Sequence, residues 1–413
     1  MVSLARKNLL EDIPRFLVAQ AGIMFAVSLV TIQTGIFNGF IRSAAKLVDN
    51  STADIWVASD TMLYFDLTLP IPQAHVALAQ QVPGVERAES LIVRNNVWRH
   101  KQNEIAQVTV VGFDLDGQLF TPRNLIQGSL SALREPNTVT VDTTNLDSLN
   151  VRQIGDVAEL GSLQARVVGL TQRNRSIVAN PYIFTSLENG NVYSNSGRTS
   201  NVTCKLISGS TNLQCTNTYV KPEQTSNPTH KKLAATDTIT YILIRAKPGQ
   251  DLQALKQKLN ATLPNTRAYT RAEISNKSRT YWQKRTGIGF LLSLGAAVGV
   301  IVGIVIVGQI LYSSVSDHLK EFGTLKAMGA SDWIIYGVIV EQALWMAILG
   351  YLPGMVLCFG VGAWTFTSQG IIILITPKTA IAVFGLTVSM CVGSAIFAIQ
   401  KVTRVDPAIV FKS

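Results

Sequence analysis

Residues 286–316 read TGIGFLLSLGAAVGVIVGIVIVGQILYSSVS, 31 positions without one charged side chain. An α-helix rises about 1.5 Å per residue, so about 20 apolar residues cross a hydrocarbon layer about 30 Å thick. This stretch is long enough to cross. Three others share its character. Residues 16–41 and 379–400 carry no charge, and residues 333–377 carry only Glu341. Backbone amides and carbonyls in hydrocarbon must bond within their own segment, so each run is expected to be helical. The run at 333–377 is too long for one span. A helix from about Ile335 to Phe359, followed by an apolar loop from about Gly362 to Pro377, accommodates it. Only 15% of the 413 residues are charged, against about 25% in globular proteins. The shortfall lies in these runs, which argues against buried helices of a soluble protein. A cleaved signal peptide does not suit the first run either. It exceeds an apolar core of about 7–15 residues, and Glu11 and Asp12 interrupt the basic lead.

The expected fold class is an α-helical membrane protein with four transmembrane helices plus an α+β extracytoplasmic domain between helices 1 and 2. Its parts are an amphipathic segment at 1–15, helix 1 at 16–41, the domain with its stalk helices at 42–285, and helix 2 at 286–315. A loop helix at 316–333, helix 3 at 334–361, a loop at 362–377, helix 4 at 378–400 and a tail at 401–413 follow. Lys and Arg in short loops set orientation. Arg6, Lys7, Arg15, Lys320, Lys326, Lys401, Arg404 and Lys412 fall on one side, and only Lys378 on the other. Both termini are therefore expected in the cytoplasm and the large domain outside, in a multi-pass plasma (inner) membrane protein.

Residues 42–285 hold 27 Lys and Arg against 19 Asp and Glu. Long translocated domains escape the charge rule. The basic residues are scattered rather than clustered with aromatics, so the charge does not argue for nucleic acid and suits a solvated surface. Anionic headgroups or envelope polymers are further contacts this charge permits. Strands are expected at Asp54–Ser59, Ala88–Trp98, Ile105–Phe113, Thr238–Ala246 and Thr266–Tyr269, with helices at Pro72–Gln81 and about Asp251–Ala261. Two β-α-β units thus bracket the domain. Asn38–Val48 and Glu273–Arg285 are expected to continue the spans as paired stalk helices. Residues 190–236, dense in Ser, Thr, Asn and Gly, are expected to be a loop-rich insertion. Cys204 and Cys215 lie there with ten residues between them. An oxidising compartment would allow a disulfide, and two free thiols are the alternative. Cys358 and Cys391 fall in spans as packing residues.

Catalytic signatures are missing. The four histidines are spread out, and no metal-ligand spacing, Gly-x-Ser-x-Gly or P-loop occurs. Glu341 alone is ionisable within the spans, too little for an ion-coupled carrier. Gly295, Gly299 and Gly303 place small residues on one face of helix 2. That face suits close helix packing, either within the protomer or at a dimer seam. In the loop, Leu319, Phe322, Leu325 and Met328 recur every three residues between charges. This is a short amphipathic helix that lies on the bilayer or docks into a partner's groove.

Residues 321–331, EFGTLKAMGAS, followed by Glu341, resemble the signature of FtsX/MacB-type ABC permeases. Residues 403–411, TRVDPAIVF, resemble their closing motif at Arg404 and Pro407, and residues 5–10, ARKNLL, with Ala21-Gly22-Ile23, resemble the DevC-like branch. The resemblance implies two permeases, a homodimer, paired with two copies of a separate ATPase that holds the ATP and Mg; this chain needs no cofactor or metal of its own. It implies an ATPase-coupling interface at Asp317, Lys320, Glu321, Phe322, Gly323, Leu325, Lys326, Ala327, Met328, Gly329, Glu341 and Arg404. It implies a porter-like part at 50–120 and 237–272, a sabre-like insert at 121–236, and mechanotransmission between cytoplasm and outer domain. A membrane-fusion adaptor and a TolC-like outer-membrane duct are the implied further partners, with an amphiphilic or lipid-like cargo. The alternative is an FtsX-like transmitter that activates an envelope hydrolase.

Overall fold

The computed structural model describes residues 13–100, 105–196, 199–206, 213–220, 232–285, 287–317, 321, 324, 328, 331–369 and 373–403, the 199–220 hairpin by its backbone alone. The chain divides into two units, residues 41–285 and a second unit from residues 1–40 with 286–413.

Helix α1 (Ile13–Ser43), whose residues up to 40 belong to the second unit, is followed in the first by α2 (Lys46–Asn50). Then come β1 (Ile55–Ser59), α3 (Ala74–Gln81), β2 (Val85–Arg99), β3 (Ile105–Phe113), β4 (Thr138–Asp142), β5 (Leu163–Thr171), β6 (Tyr182–Ser186) and α4 (Leu187–Asn195). A hairpin at Thr199–Leu206 and Leu213–Val220 precedes β7 (Tyr241–Ala246), α5 (Leu252–Thr262), β8 (Thr266–Thr270) and α6 (Arg271–Arg285). One sheet collects β1–β8 in the order β8-β1-β7-β2-β3-β6-β4-β5.

Its first four strands form a split β-α-β arrangement. β1 lies between β8 and β7 and runs antiparallel to both, with Trp56 opposite Tyr269 and Leu243. β7 in turn runs antiparallel to β2. The two β-α-β units expected from the sequence are therefore interleaved rather than stacked side by side. All five residues of β1 are buried. Side chains alternate across a strand, so Ile55 and Val57 enter one apolar layer with Ala79, Leu255 and Leu259 of α3 and α5. Trp56 and Ala58 enter the opposite layer with Tyr241, Tyr269 and Ile274. Asp251 caps α5 by accepting the Gln253 amide at 2.9 Å.

α2 and α6 lie together. Asp49 accepts from Ser275 Oγ at 2.8 Å and pairs with Arg279. The chain thus enters and leaves this unit through adjacent helices. Within residues 190–236, expected to be loop-rich, residues 190–195 are helical and Thr199–Leu206 pairs antiparallel with Leu213–Val220, while residues 197–198, 207–212 and 221–231 lie outside the described residues. Gly190 is there because α4 rests on the sheet. A Cβ on Gly190 would stand 2.8 Å from the Gly112 Cα, so only glycine permits the approach. The hairpin register sets Cys204 directly opposite Cys215.

Among the described residues the second unit holds four helices apolar and long enough to span a membrane: α1, α7 (Ile288–Asp317), α8 (Asp332–Gln369) and α9 (Pro377–Thr403). α8 corrects the sequence expectation, because residues 362–369 extend the helix instead of opening a loop. Pro353 lies inside it without ending it. Apolar surroundings leave a backbone no water to break towards. Ser28 Oγ donates to the Gly354 carbonyl at 3.5 Å. Residues 1–12 of the expected amphipathic segment lie outside the described residues.

Asp66 provides a test of the first unit. It follows Phe65, whose carbonyl accepts from the Tyr241 hydroxyl. Its Oδ1 is buried without a hydrogen-bond partner, and burial pushes the carboxyl up to about 7. An unfolded aspartate ionises near pH 4. Between there and about pH 7 the unfolded chain is charged while the folded one keeps its proton, so this group's contribution falls as pH rises through that window. The stability difference between wild type and Asp66→Asn, followed by thermal unfolding in detergent, is expected to move against wild type from pH 4 to 7 and level off above.

Candidate functional site

The candidate site is the end of the helix bundle where α1 begins, α7 ends and α8 begins. Arg15 of α1 forms an ion pair with Asp317, the last residue of α7, both about half exposed. Exposed pairs contribute about 0–1 kcal/mol, so this one aligns two helix ends more than it stabilises them. Opposite charges at the borders of two apolar runs were the sequence signal for it.

Beyond Asp317, Glu321 and Thr324 are helical, and Glu321 is exposed. The Met328 amide donates to the Thr324 carbonyl at 3.0 Å, which closes a helical turn. Met328 and Trp333 are 72% and 82% exposed. A methionine and a tryptophan are typical anchors of a protein interface. Trp333 was passed over in the sequence because it borders an apolar run, where it reads as an interfacial belt residue. Glu341 lies on α8, partly buried. Lys320, Phe322, Gly323, Leu325, Lys326, Ala327, Gly329 and Arg404 lie outside the described residues.

The bundle behind this end is close-packed through small residues. Cβ atoms added at Gly295 and Gly299 would meet Gln33 and Leu29 of α1 at 2.3 and 2.9 Å. One at Gly303 would meet Met390 of α9 at 2.4 Å and Ala26 of α1 at 3.0 Å. The glycine face therefore packs within the protomer. Lipid gives helices no hydrophobic drive to associate, so such contact is what holds them. Three glutamines are embedded here. Gln20 and Gln342 are 7% and 1% exposed, and Gln20 Oε1 and Nε2, Gln33 Oε1 and Gln342 Oε1 make no hydrogen bond. Among the described residues no His, Cys, Asp and Glu cluster could hold a metal.

Comparison with known proteins agrees with this architecture. Residues 16–262 match the MacB-like periplasmic core domain, and residues 293–407 match the FtsX-like permease C-terminal domain. An uncharacterized ABC transporter permease of Mycobacterium tuberculosis (strain ATCC 25618 / H37Rv) is 23% identical over 95% of this chain and 94% of its own. The macrolide export ATP-binding/permease protein MacB of Hyphomonas neptunium is 26% identical over 30% of this chain and 19% of its own. The pyoverdine export ATP-binding/permease protein PvdT of Pseudomonas savastanoi pv. phaseolicola is 29% identical over 32% and 20%. A four-helix membrane bundle with a β-rich MacB-type core is the frame of a transport subunit. The chain belongs to the MacB-like family of FtsX-type ABC transporter permeases.

Gly303→Leu is expected to disrupt the bundle, lowering the unfolding temperature in detergent. Ile301→Leu, at a position 59% exposed on the same helix, is expected to leave it unchanged.

Proposed function

We propose that this chain is the permease subunit of an ABC exporter that works by mechanotransmission with a separate ATPase. The observation that carries the reading is the pairing of lengths. The chain aligns along 94% of a relative named as a permease, but along only 19% and 20% of relatives named as ATP-binding/permease proteins. Its 413 residues contain no P-loop. ATP, Mg and hydrolysis then belong to the partner, and this chain contributes the docking end.

On this reading both termini are cytoplasmic, and the segment from Asp317 through Glu321 and Met328 to Trp333 docks in the ATPase dimer. A permease homodimer sits above it. The split β-α-β part, 50–120 with 237–272, serves as porter and the insert 121–236 as sabre. The adjacent α2 and α6 carry motion between ATPase and outer domain. A membrane-fusion adaptor and a TolC-like duct complete the path for an amphiphilic cargo, and the export named for the macrolide and pyoverdine relatives supports the outward direction. The motif at residues 5–10 supports a DevC-like placement. The register of Cys204 against Cys215 supports a disulfide across the hairpin.

Glu321→Ala and Phe322→Ala, in permease reconstituted with its ATPase, are expected to lower transport per ATP about tenfold, the equivalent of about 1.4 kcal/mol at the interface, with membrane insertion intact. Transport at the wild-type ratio in both variants removes the loop from the mechanism. ATP-dependent activation of an envelope hydrolase, without cargo movement, would select the transmitter instead. Thiol alkylation of the denatured, unreduced chain is expected to label Cys358 and Cys391 only; labelling of Cys204 and Cys215 rules out the bridge.

A further inference from the structure

Five of the cations that look scattered along residues 42–285 line one groove of the first unit, about 820 Å³ in volume. α6 supplies one helix face: Glu273, Lys277, Tyr281, Lys284 and Arg285 follow spacings of three or four. α5 adds Lys256, β8 adds Arg267 and Tyr269, and the loop before α3 adds Leu63. One carboxylate faces five cations. Glu273 is committed to Lys256, at 2.6 Å, and to the Thr270 amide at 2.9 Å. Burial pushes its carboxyl up, but these bonds prevail and hold it below the ordinary range, so Glu273 stays charged and neutralises Lys256 alone. Among the described residues, Arg267, Lys277, Lys284 and Arg285 have no carboxylate partner.

Aromatic rings hold these cations in place. Lys277 Nζ donates to the Tyr269 hydroxyl at 3.2 Å and lies 5.1 Å from its ring centroid, with Arg267 at 5.7 Å. Arg285 lies 5.9 Å from the ring of Tyr281, which stacks on Tyr64 at 4.2 Å. The loop that brings Tyr64 is fixed to α6, since the Phe65 amide donates to Ser278 Oγ at 3.0 Å. The same loop leaves Leu63, Leu67 and Leu69 exposed at 53%, 48% and 59%. In sequence, Arg285 stands three positions before Ile288, where the apolar helix α7 starts.

We propose that this groove binds the headgroup of an anionic phospholipid. Fixed cations recognise the phosphate, tyrosines suit the headgroup level, and the exposed leucines meet the acyl chains. A soluble anion would use the cations and leave the leucines unused. The chain position of Arg285, next to a span, fits a lipid of the surrounding bilayer. This site is independent of the ATPase-coupling reading, because it needs neither ATP nor a partner.

The test is calorimetric titration of the full chain, in neutral detergent without ATPase, using dihexanoyl phosphatidylglycerol, dihexanoyl phosphatidylcholine and glycerol phosphate. Phosphatidylglycerol is expected to bind at least about tenfold more tightly than either. The Arg267→Gln/Lys284→Gln/Arg285→Gln variant, all at exposed side chains, is expected to lose that preference. A control removing the same charge elsewhere, Arg152→Gln/Lys247→Gln/Lys258→Gln, is expected to keep it. The proposal is overturned if the groove variant retains the preference or the control loses it equally. Equal binding of glycerol phosphate overturns the lipid and leaves a free-anion site.

Discussion

Everything in the first unit depends on where β1 pairs. Ile55–Ser59 is inserted between two strands that follow it by about 180 and about 210 residues, β7 and β8. Closing so long a loop carries a large entropic cost, and the register makes it worthwhile: five consecutive buried residues feed two apolar layers at once. The consequence reaches further than stability. Because the first and last strands of the unit are neighbours, its entry and exit must be neighbours too. α2 and α6 therefore run together, tied by Asp49 to Ser275 and Arg279.

The membrane bundle obeys a different constraint. Within hydrocarbon no hydrophobic gain distinguishes one apolar face from another, so contact distance decides. Gly295, Gly299 and Gly303 let α7 close on α1 and α9, which leaves the outer faces of these helices for lipid. The unpartnered amide of Gln20 and the unpartnered Oε1 of Gln342 are the unusual feature of this interior, since polar groups there are costly when unsatisfied.

Much of the architecture was legible because its signals are periodic or exclusive. Charge-free runs of more than twenty residues admit one structure. The Val- and Ile-rich stretches at 105–113 and 241–246 and the Asp251 cap gave strands and helix with little ambiguity. The misreadings share a cause, in that tertiary context changed what a residue meant. A loop was expected from about Gly362, but the apolar bundle carries α8 on to Gln369. Gly190 looked like loop composition, whereas it is a contact between α4 and β3 that only the folded sheet reveals. The interleaving of the two β-α-β units was invisible for the same reason. The groove was half legible: the face of α6 from Lys277 to Arg285 can be read by helical spacing, but its partners Lys256 and Arg267 come from other elements.

The central claim is that this permease end, with exposed Met328 and Trp333, serves an ATPase on a separate chain. The most direct measurement is ATP hydrolysis by the full chain isolated from its native membrane in mild detergent. The account requires a vanadate-sensitive ATPase polypeptide, stoichiometric with this chain, that is lost when residues 317–333 are replaced by a glycine-serine linker. Isolation of the intact chain without any ATP hydrolysis, from membranes whose transport collapses when ion gradients are dissipated, would contradict it.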